Sequence, residues 1–246
     1  MTRKSHKVVS FNLRFGSAND AKDSWEFRRS IFYNNISSIK PDIMGTQEGL
    51  HWQLEEILYG IGQQYKYVGC GREDGQLQGE YTALVYDSTK YDIISSNSFW
   101  LSNTPQLPSK SWDSNLNRVT TWAHMRCIHD NSEIVVYNTH LDWESCKARD
   151  NGIVLIIEHA KKWGSKPIVI LGDFNCDYLS TVYKTMRVAK TTLTVLMTIK
   201  EHIMDLQVTL KGIELILFGL ITNLNFYSQK LIVIMNKDAI QVITLV

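Results

Sequence analysis

The sequence lacks the features that define several large classes of protein. Its four cysteines, Cys70, Cys127, Cys146 and Cys176, form no C-x-x-C pair and have no zinc-like spacing, so they predict neither a disulfide framework nor a structural zinc site. A charge excess of one sign is also missing, because 26 basic residues stand against 25 acidic ones. We therefore expect no partner that is held by charge alone, such as extended duplex nucleic acid.

Long apolar runs are missing as well. The longest, residues 213–221, contains Glu214 and is too short to span a bilayer. Residues 1–7 form a segment rich in basic side chains. It leads into a strand-like segment and not into the apolar core of a secretory signal. We expect an intracellular, cytoplasmic protein without membrane association and without an obligate protein partner.

Turn-forming and large aromatic residues are confined to one part of the 246-residue chain. All four prolines, all seven tryptophans and twelve of the fourteen glycines precede residue 173. From about residue 191 the chain is dominated by Leu, Ile, Val, Thr and Lys. This change in composition predicts a folded domain over residues 1–182 and a divergent tail over residues 183–246.

Hydrophobic periodicity predicts more strands than helices. Strands are expected near residues 7–13, 43–46, 65–69, 81–86, 91–100, 121–129, 133–141 and 167–171, and helices near residues 25–39, 50–58 and 144–163. Strands with helices interspersed predict an α/β protein in which two stacked sheets are covered by helices. The tryptophans are expected to pack in the core and at sheet edges.

Several apolar strands end in residues that bind metals or move protons. Asn12, Glu48, His140 and Asp173 each follow such a strand. Side chains at strand ends can converge on one rim from distant positions in the sequence. Oxygen ligands with few histidines favour Mg²⁺, or Mn²⁺, over zinc.

The motifs around these residues resemble one known family. They are SFNLR at residues 10–14, GTQE at 45–48, NTHL at 138–141 and GDFN at 172–175. Together and in this order they resemble the endonuclease/exonuclease/phosphatase superfamily of DNase I-like, metal-dependent phosphoesterases. Segments at residues 71–75, 79–81, 99–102 and 118–122 further resemble a branch of small, single-domain members.

The resemblance implies a fold, a reaction and a metal. The fold would be a four-layered α/β/β/α sandwich of two mixed sheets, incomplete at its C-terminal end. The reaction would be Mg²⁺-dependent hydrolysis of phosphodiester or phosphomonoester bonds through attack by an activated water. Glu48 would bind the metal with Asn12 beside it.

The resemblance also implies roles in catalysis and substrate binding. Asp173 would position or deprotonate the attacking water, and Asn175 would hold the phosphate. His140 would hydrogen-bond the phosphate or assist proton transfer, oriented by Glu80 in an acid-histidine pair. The expected substrate-binding residues are Arg72, Asn138 and Arg118, and the expected substrate is a phosphorylated small molecule or a nucleic-acid end.

Each residue also has an ordinary structural explanation. Glu48 could interact with the dipole of the helix that follows it, and His140 could be a hydrogen-bonded residue at a sheet end. Residues 173–175 could form a turn. Arg72, with the acidic residues after it, could belong to a solvated charged turn.

Two late motifs of the family are missing from this chain. The family ends with an aspartate on a late strand and a Ser-Asp-His segment, whereas the only histidine after Asp173 is His202. Without them the site would lose electrostatic stabilisation of the transition state. The alternative function is therefore a catalytically inactive remnant or a binding module.

Back-translation suggests where the missing motifs went. Codons for residues 239–244, read from the third base of each codon, permit Tyr-Pro-Ser-Asp-His. The same register over residues 212–219 permits Arg-Ile-Asp-Phe-Ile-Trp, and over residues 201–206 it permits Thr-Tyr-His-Gly-Phe. We therefore interpret residues 183–246 as the frame-shifted translation of a complete phosphoesterase gene.

Overall fold

The fold is given by a computed structural model, which describes residues 6–189 and the backbone of five later strands. The elements of the first half are β1 (His6–Asn12), α1 (Trp25–Ile39), β2 (Ile43–Gln47), α2 (His51–Ile61), β3 (Tyr65–Val68), β4 (Leu84–Asp87), β5 (Tyr91–Trp100) and β6 (Val119–Cys127). There follow β7 (Glu133–His140), α3 (Cys146–Lys161), β8 (Ile168–Asp173), α4 (Thr181–Ala189), β9 (Thr194–Val195), β10 (Leu206–Leu210), β11 (Ile213–Leu217), β12 (Lys230–Asn236) and β13 (Ala239–Leu245).

The described strands form two large mixed sheets. The first has the order β13-β12-β1-β2-β4-β3, in which β1 and β2 are parallel and the other pairs are antiparallel. The second has the order β5-β6-β7-β8-β9, in which β7, β8 and β9 are parallel. Strands β10 and β11 pair separately.

Side-chain alternation along the strands builds four layers. In β1, Val8 packs with Ile43 and Leu171 between the two sheets, whereas Val9 and Phe11 pack with residues of the helices α1 and α2. The second sheet repeats the pattern, because its opposite face packs on α3 and α4. Since successive strand residues point to opposite faces, one strand serves two cores. The predicted four-layered α/β/β/α sandwich is confirmed.

The two sheets approach each other closely at Gly45. A Cβ atom at this position would lie 1.8 Å from Leu171 Cδ1 and 2.8 Å from the side chain of Asn138. Only glycine leaves room for these side chains in the GTQE segment. The close approach brings the end of β2 next to the ends of β7 and β8.

Some element boundaries differ from the sequence-based prediction. The helix expected from residue 144 begins at Cys146, because the Ser145 hydroxyl accepts a hydrogen bond from Ala148 N and caps the helix. The strand expected from residue 81 begins at Leu84, although Tyr81 forms an isolated bridge with Gly49.

The tryptophans do not all pack as expected. Trp25 and Trp100 are buried, but Trp52 and Trp143 are 48% and 59% exposed. The expectation of core and sheet-edge packing is therefore wrong for these two residues. Both lie within four positions of a predicted site residue.

The predicted boundary at residues 182/183 falls inside α4. This helix continues to Ala189, and its residues Val182 and Met186 are buried in the core beside α3. Most of residues 190–246, including His202, lie outside the described residues. The division of the chain, the incomplete C-terminal end and the frame-shift interpretation stay predictions.

Candidate active site

Four side chains predicted from separate motifs meet at one end of the sandwich. Asn12, His140 and Asp173 are the last residues of β1, β7 and β8, and Glu48 directly follows β2. Strands β1 and β2 are parallel neighbours, and in the parallel β7–β8 pair His140 lies opposite Asp173. The carboxyl ends of these strands therefore present their last side chains to a common rim.

The amide of Asn12 joins the two carboxylates. Its Nδ2 donates a hydrogen bond to Glu48 Oε1 at 2.8 Å and another to Asp173 Oδ2 at 3.1 Å. Its Oδ1 accepts a hydrogen bond from Arg14 N at 2.8 Å, which fixes the orientation of the amide. We call Asn12, Glu48 and Asp173 the acid side of the site.

Glu48 is held in a conformation that non-glycine residues rarely adopt. Its φ is 63°, in the left-handed region, and its Oε2 accepts a hydrogen bond from Phe15 N at 3.3 Å. Such backbone strain persists where surrounding contacts impose it, and it concentrates at functional sites. Both described carboxylate contacts are to β1 or the loop after it, and not to the first turn of α2.

The segment that begins at Asp173 is both a turn and a part of the site. Asp173 Oδ1 accepts a hydrogen bond from Asn175 N at 3.0 Å, and Asn175 has a φ of 46°. Asn175 Nδ2 donates to Leu141 O at 2.9 Å, which ties the turn to the end of β7. The turn thus fixes Asp173 relative to His140.

His140 is a buried imidazole beside a carboxylate. Its Nε2 lies 4.0 Å from Asp173 Oδ2. Burial lowers the pKa of His140 to about 4, and Arg118 and Arg72 act in the same direction, against the opposing charges of Asp173 and Glu48. The ring is therefore neutral near pH 7 and can both donate and accept a hydrogen bond.

Two arginines lie in the same cleft as His140. Arg72 and Arg118 line one small cleft together with Glu80 and His140. Arg118 Nε is 3.3 Å from Asp142 Oδ2, and Arg72 Nη1 is 2.7 Å from Glu80 Oε2. Burial lowers the pKa of Arg118, with Arg72 adding to the effect. We call the two ion pairs the basic side of the site.

The expected pairing of Glu80 with His140 is wrong. The segment between Arg72 and Glu80 folds back on itself, because Arg72 N donates to Glu80 O at 3.1 Å and Glu73 N donates to Gln78 O at 3.1 Å. This pairing sets the Arg72 guanidinium against the Glu80 carboxylate. Burial raises the pKa of Glu80, and Arg72 opposes that shift. The carboxylate beside His140 is that of Asp173.

The expected substrate contact of Asn138 is also wrong. This residue is fully buried between the sheets, where its Oδ1 accepts a hydrogen bond from Gln47 Nε2 at 2.7 Å. Its Nδ2 donates to the backbone carbonyls of Thr46 and Ala83, both at 2.8 Å. Both amide hydrogens are used, so Asn138 joins the sheets and is not available to a ligand.

Sequence reasoning missed Asp142. Its Oδ2 accepts a hydrogen bond from Ser114 Oγ at 2.8 Å, and its Oδ1 accepts from Glu144 N and Ser145 N. Burial alone would raise the pKa of Asp142, but these hydrogen bonds and the charge of Arg118 lower it. The sequence offered one signal for Asp142, its position two residues after His140. Its pairing with Arg118, 24 residues earlier in the chain, could not be predicted from the sequence.

Two observations limit what the described part of the chain contains. Within it, no group of three or more His, Cys, Asp or Glu side chains is placed to hold a metal ion. No helix among the described residues has the length and apolar character that a membrane crossing requires.

Comparison with known proteins identifies relatives. A solved endonuclease/exonuclease/phosphatase family protein from Bacteroides thetaiotaomicron is 34% identical, with a TM-score of 0.74 over 78% of this chain and 71% of that one. The mannosyl-6-phosphatase of the same organism is 34% identical, with a TM-score of 0.73 over 76% and 71% of the two chains. An uncharacterized protein of Acanthamoeba polyphaga mimivirus is 27% identical over 182 residues, which are 70% of this chain and 67% of that protein. The chain spans half or less of the length of the other curated relatives that it matches.

The family assignment rests on sequence as well as on fold. The sequence signature described as the Endonuclease/Exonuclease/phosphatase family matches residues 9–193, a range that contains every site residue discussed above. The two Bacteroides structures share the fold at the same level of identity. The chain belongs to the endonuclease/exonuclease/phosphatase family of hydrolases.

Proposed function

We propose that this chain is a divalent-metal-dependent phosphoesterase that hydrolyses phosphomonoesters or phosphodiesters of small molecules or nucleic-acid ends. The observation that carries the proposal is the double hydrogen bond of Asn12 to Glu48 and Asp173, with His140 beside Asp173. Four residues from four strands thereby gather carboxylate, amide and imidazole groups in one place. Family membership supports the reaction type.

The donor set of the acid side fits Mg²⁺, with Mn²⁺ as a second choice. Glu48 Oε1 and Asp173 Oδ2 both lie within 3.1 Å of one amide nitrogen, so hard oxygen donors are concentrated there. Mg²⁺ is commonly held by one or two carboxylates together with water and substrate phosphate, and it does not require three protein ligands. Glu48 would hold the ion, with Asn12 beside it. When bound, the cation would polarise a phosphoryl oxygen and offset charge on the leaving oxygen.

Asp173 is the group proposed to receive the proton of the attacking water. Its Oδ1 is occupied by Asn175 N, and its Oδ2 lies between Asn12 Nδ2 and His140 Nε2. The water oxygen forms the new bond to phosphorus as the ester oxygen leaves, and the water proton passes to the Asp173 carboxylate. Neutral His140 donates a hydrogen bond to a phosphoryl oxygen.

The basic side is proposed to hold the phosphoryl group. Arg72 and Arg118 line the cleft that contains His140, and their carboxylate partners leave guanidinium N–H groups for an anion. A guanidinium group has five N–H donors. In Arg118, one of them bonds Asp142. Asn175, held by Leu141, stays a proposed phosphate contact.

The charge balance supports a small substrate. With a formal net charge of +1, the chain lacks the excess of Lys and Arg that holds a long polyanion. One solved relative at 34% identity is described as a mannosyl-6-phosphatase, which acts on a small phosphate ester.

Hydrolysis of bis(4-nitrophenyl) phosphate tests the proposal. We expect nitrophenol release in Mg²⁺, its loss on addition of EDTA, and a loss of about 10³-fold in Glu48→Gln because the cation loses a charged ligand. The matched control is Glu26→Gln, an exposed carboxylate in the first turn of α1. Turnover that is insensitive to EDTA and to Glu48→Gln would contradict the proposal.

One observation favours a second function, a binding module without turnover. The sequence after Asp173 contains a single histidine, His202, and no Ser-Asp-His segment. Such a protein would bind Mg²⁺ and phosphate esters with the same residues but would not release nitrophenol. Calorimetric titration of Mg²⁺ into the wild-type and Glu48→Gln proteins separates the two functions, because binding without hydrolysis supports only the second.

A further inference from the structure

A half-exposed tryptophan lies beside the acid side of the site. Trp52 is the second residue of α2, and 48% of its surface is exposed. The edge of its six-membered ring lies over Gly16, where an added Cβ atom would be 2.6 Å from Trp52 Cη2. Glycine at position 16 is therefore required for the ring to occupy this place.

Backbone contacts connect this ring to Glu48. Gly16 directly follows Phe15, whose N donates the 3.3 Å hydrogen bond to Glu48 Oε2. Phe15 is half-buried, and the Arg14 guanidinium lies 4.7 Å from the centre of its ring. Trp52 thus covers the residue next to Phe15, and Phe15 N bonds the Glu48 carboxylate directly. We call Phe15, Gly16 and Trp52 the aromatic ledge.

The aromatic ledge is fixed by a buried glutamine. Gln53 has no exposed surface, and its Oε1 accepts a hydrogen bond from Gly16 N at 2.8 Å. Its Nε2 donates to Arg14 O at 3.2 Å, so both ends of the loop segment are tied to α2. A rigid aromatic surface binds a ligand with little loss of side-chain entropy, and this one lies at the rim of the site.

We propose that the aromatic ledge binds a ring in the alcohol portion of the phosphate ester, by stacking on Trp52. The inference rests on the proposed function and specifies its substrate class: phosphate esters whose alcohol carries a ring with an apolar face. The bound ring would lie near Glu48, because Trp52 covers Gly16 and the neighbouring Phe15 N bonds the Glu48 carboxylate. A nucleobase and a sugar both present such a face.

Calorimetric binding of three small phosphate esters in the presence of Mg²⁺ tests the inference. The probes are phenyl phosphate, which has an aromatic ring, glucose 6-phosphate, which has a sugar ring, and methyl phosphate, which has none. In Trp52→Ala we expect about tenfold weaker binding of at least one ring-bearing probe, as for loss of a stacking contact, and unchanged binding of methyl phosphate. The ring-bearing probe that loses more affinity distinguishes an aromatic from a sugar ligand.

Two further variants separate stacking from folding. Trp52→Leu keeps an apolar side chain over Gly16 but removes the ring, so it should lose the same affinity as Trp52→Ala while keeping the thermal midpoint of the wild type. Tyr59→Ala is the matched control, since Tyr59 is an aromatic residue on the same helix and is 93% exposed. Its binding of all three probes should equal that of the wild type.

The outcome does not depend on turnover. The inference is overturned if the wild-type protein binds the ring-bearing probes no more tightly than methyl phosphate, or if Trp52→Ala and Trp52→Leu change all three affinities equally. Ring-dependent binding without release of nitrophenol from bis(4-nitrophenyl) phosphate would defeat the proposed function and leave the ring-binding ledge standing.

Discussion

The acid side and the basic side of the site are built in different ways. Asn12, Glu48 and Asp173 lie at the ends of strands, and each takes its place from the parallel pairing of neighbouring strands. Arg72 belongs to a folded-back loop, and Arg118 takes its partner from the turn after β7. One side therefore depends on regular structure and the other on ion pairs between loops.

The difference shows where charge is compensated inside the protein. On the acid side a single neutral amide, Asn12, bridges two carboxylates, so their negative charges have no described cationic partner between them. On the basic side Arg118 pairs with Asp142, and Arg72 pairs with both Glu80 and Glu73. The acid side thus suits an added cation, whereas the basic side keeps its guanidinium groups in place before any anion binds.

The largest effect is expected when the acid side loses Asp173, its proposed proton acceptor. In Asp173→Asn we expect turnover of bis(4-nitrophenyl) phosphate to fall by about 10²–10⁴-fold, because an amide cannot take the proton of the water. The control Asp177→Asn places the same substitution at an exposed residue, whose Oδ1 acceptor for Leu179 N is retained. Equal turnover in the two variants would remove the acid side from the mechanism.

Breaking the basic side should cost stability. In Asp142→Ala the buried Arg118 guanidinium loses its carboxylate, and we expect the free energy of unfolding in urea to fall by about 3–5 kcal/mol. Asp113→Ala is the matched control: Lys147 Nζ lies 3.3 Å from Asp113 Oδ2, the same distance as in the Arg118–Asp142 pair, but both side chains are more than half exposed. There we expect a loss of about 0–1 kcal/mol.

A substitution at Asn138 tests whether this residue joins the two sheets and has no contact with substrate. In Asn138→Ala the buried Gln47 amide and the Thr46 carbonyl lose their partner, so we expect the free energy of unfolding to fall by about 2–4 kcal/mol. The KM of the remaining activity should be unchanged. The exposed Asn151 on α3 provides the control Asn151→Ala. A raised KM without loss of stability would instead restore Asn138 as a substrate-binding residue.

The smallest effect concerns the partner of Glu80. A double-mutant cycle on stability with Arg72→Gln and Glu80→Gln should give a coupling energy of about 1–2 kcal/mol, because the two charged groups are 2.7 Å apart and largely buried. The corresponding cycle with Glu80→Gln and His140→Gln should give a value near zero. The reverse result would reinstate the acid-histidine pair that the sequence suggested.

Features that depend on local sequence were predicted correctly, whereas features that depend on contacts between distant residues were not. The motifs at residues 10–14, 45–48 and 172–175 placed Asn12, Glu48 and Asp173 correctly at strand ends, because alternation and strand length are local properties. The roles given to Glu80 and Asn138 were wrong because they depend on contacts that strand patterns do not encode. Asn138 bonds Gln47 and Thr46, which are 91 and 92 residues away.

The amino-acid sequence by itself determined the family, the layered fold and the set of strand-end residues that form the acid side. Hydrophobic periodicity fixes which face of each strand is buried, and so it fixes where each strand leaves its last polar side chain. Only the tertiary structure decided which charges pair on the basic side, that Asn138 is enclosed between the sheets, and that Trp52 lies half-exposed over Gly16. Those outcomes depend on loop conformations and on the distance between two sheets, which arise from packing of the whole chain and not from any one segment.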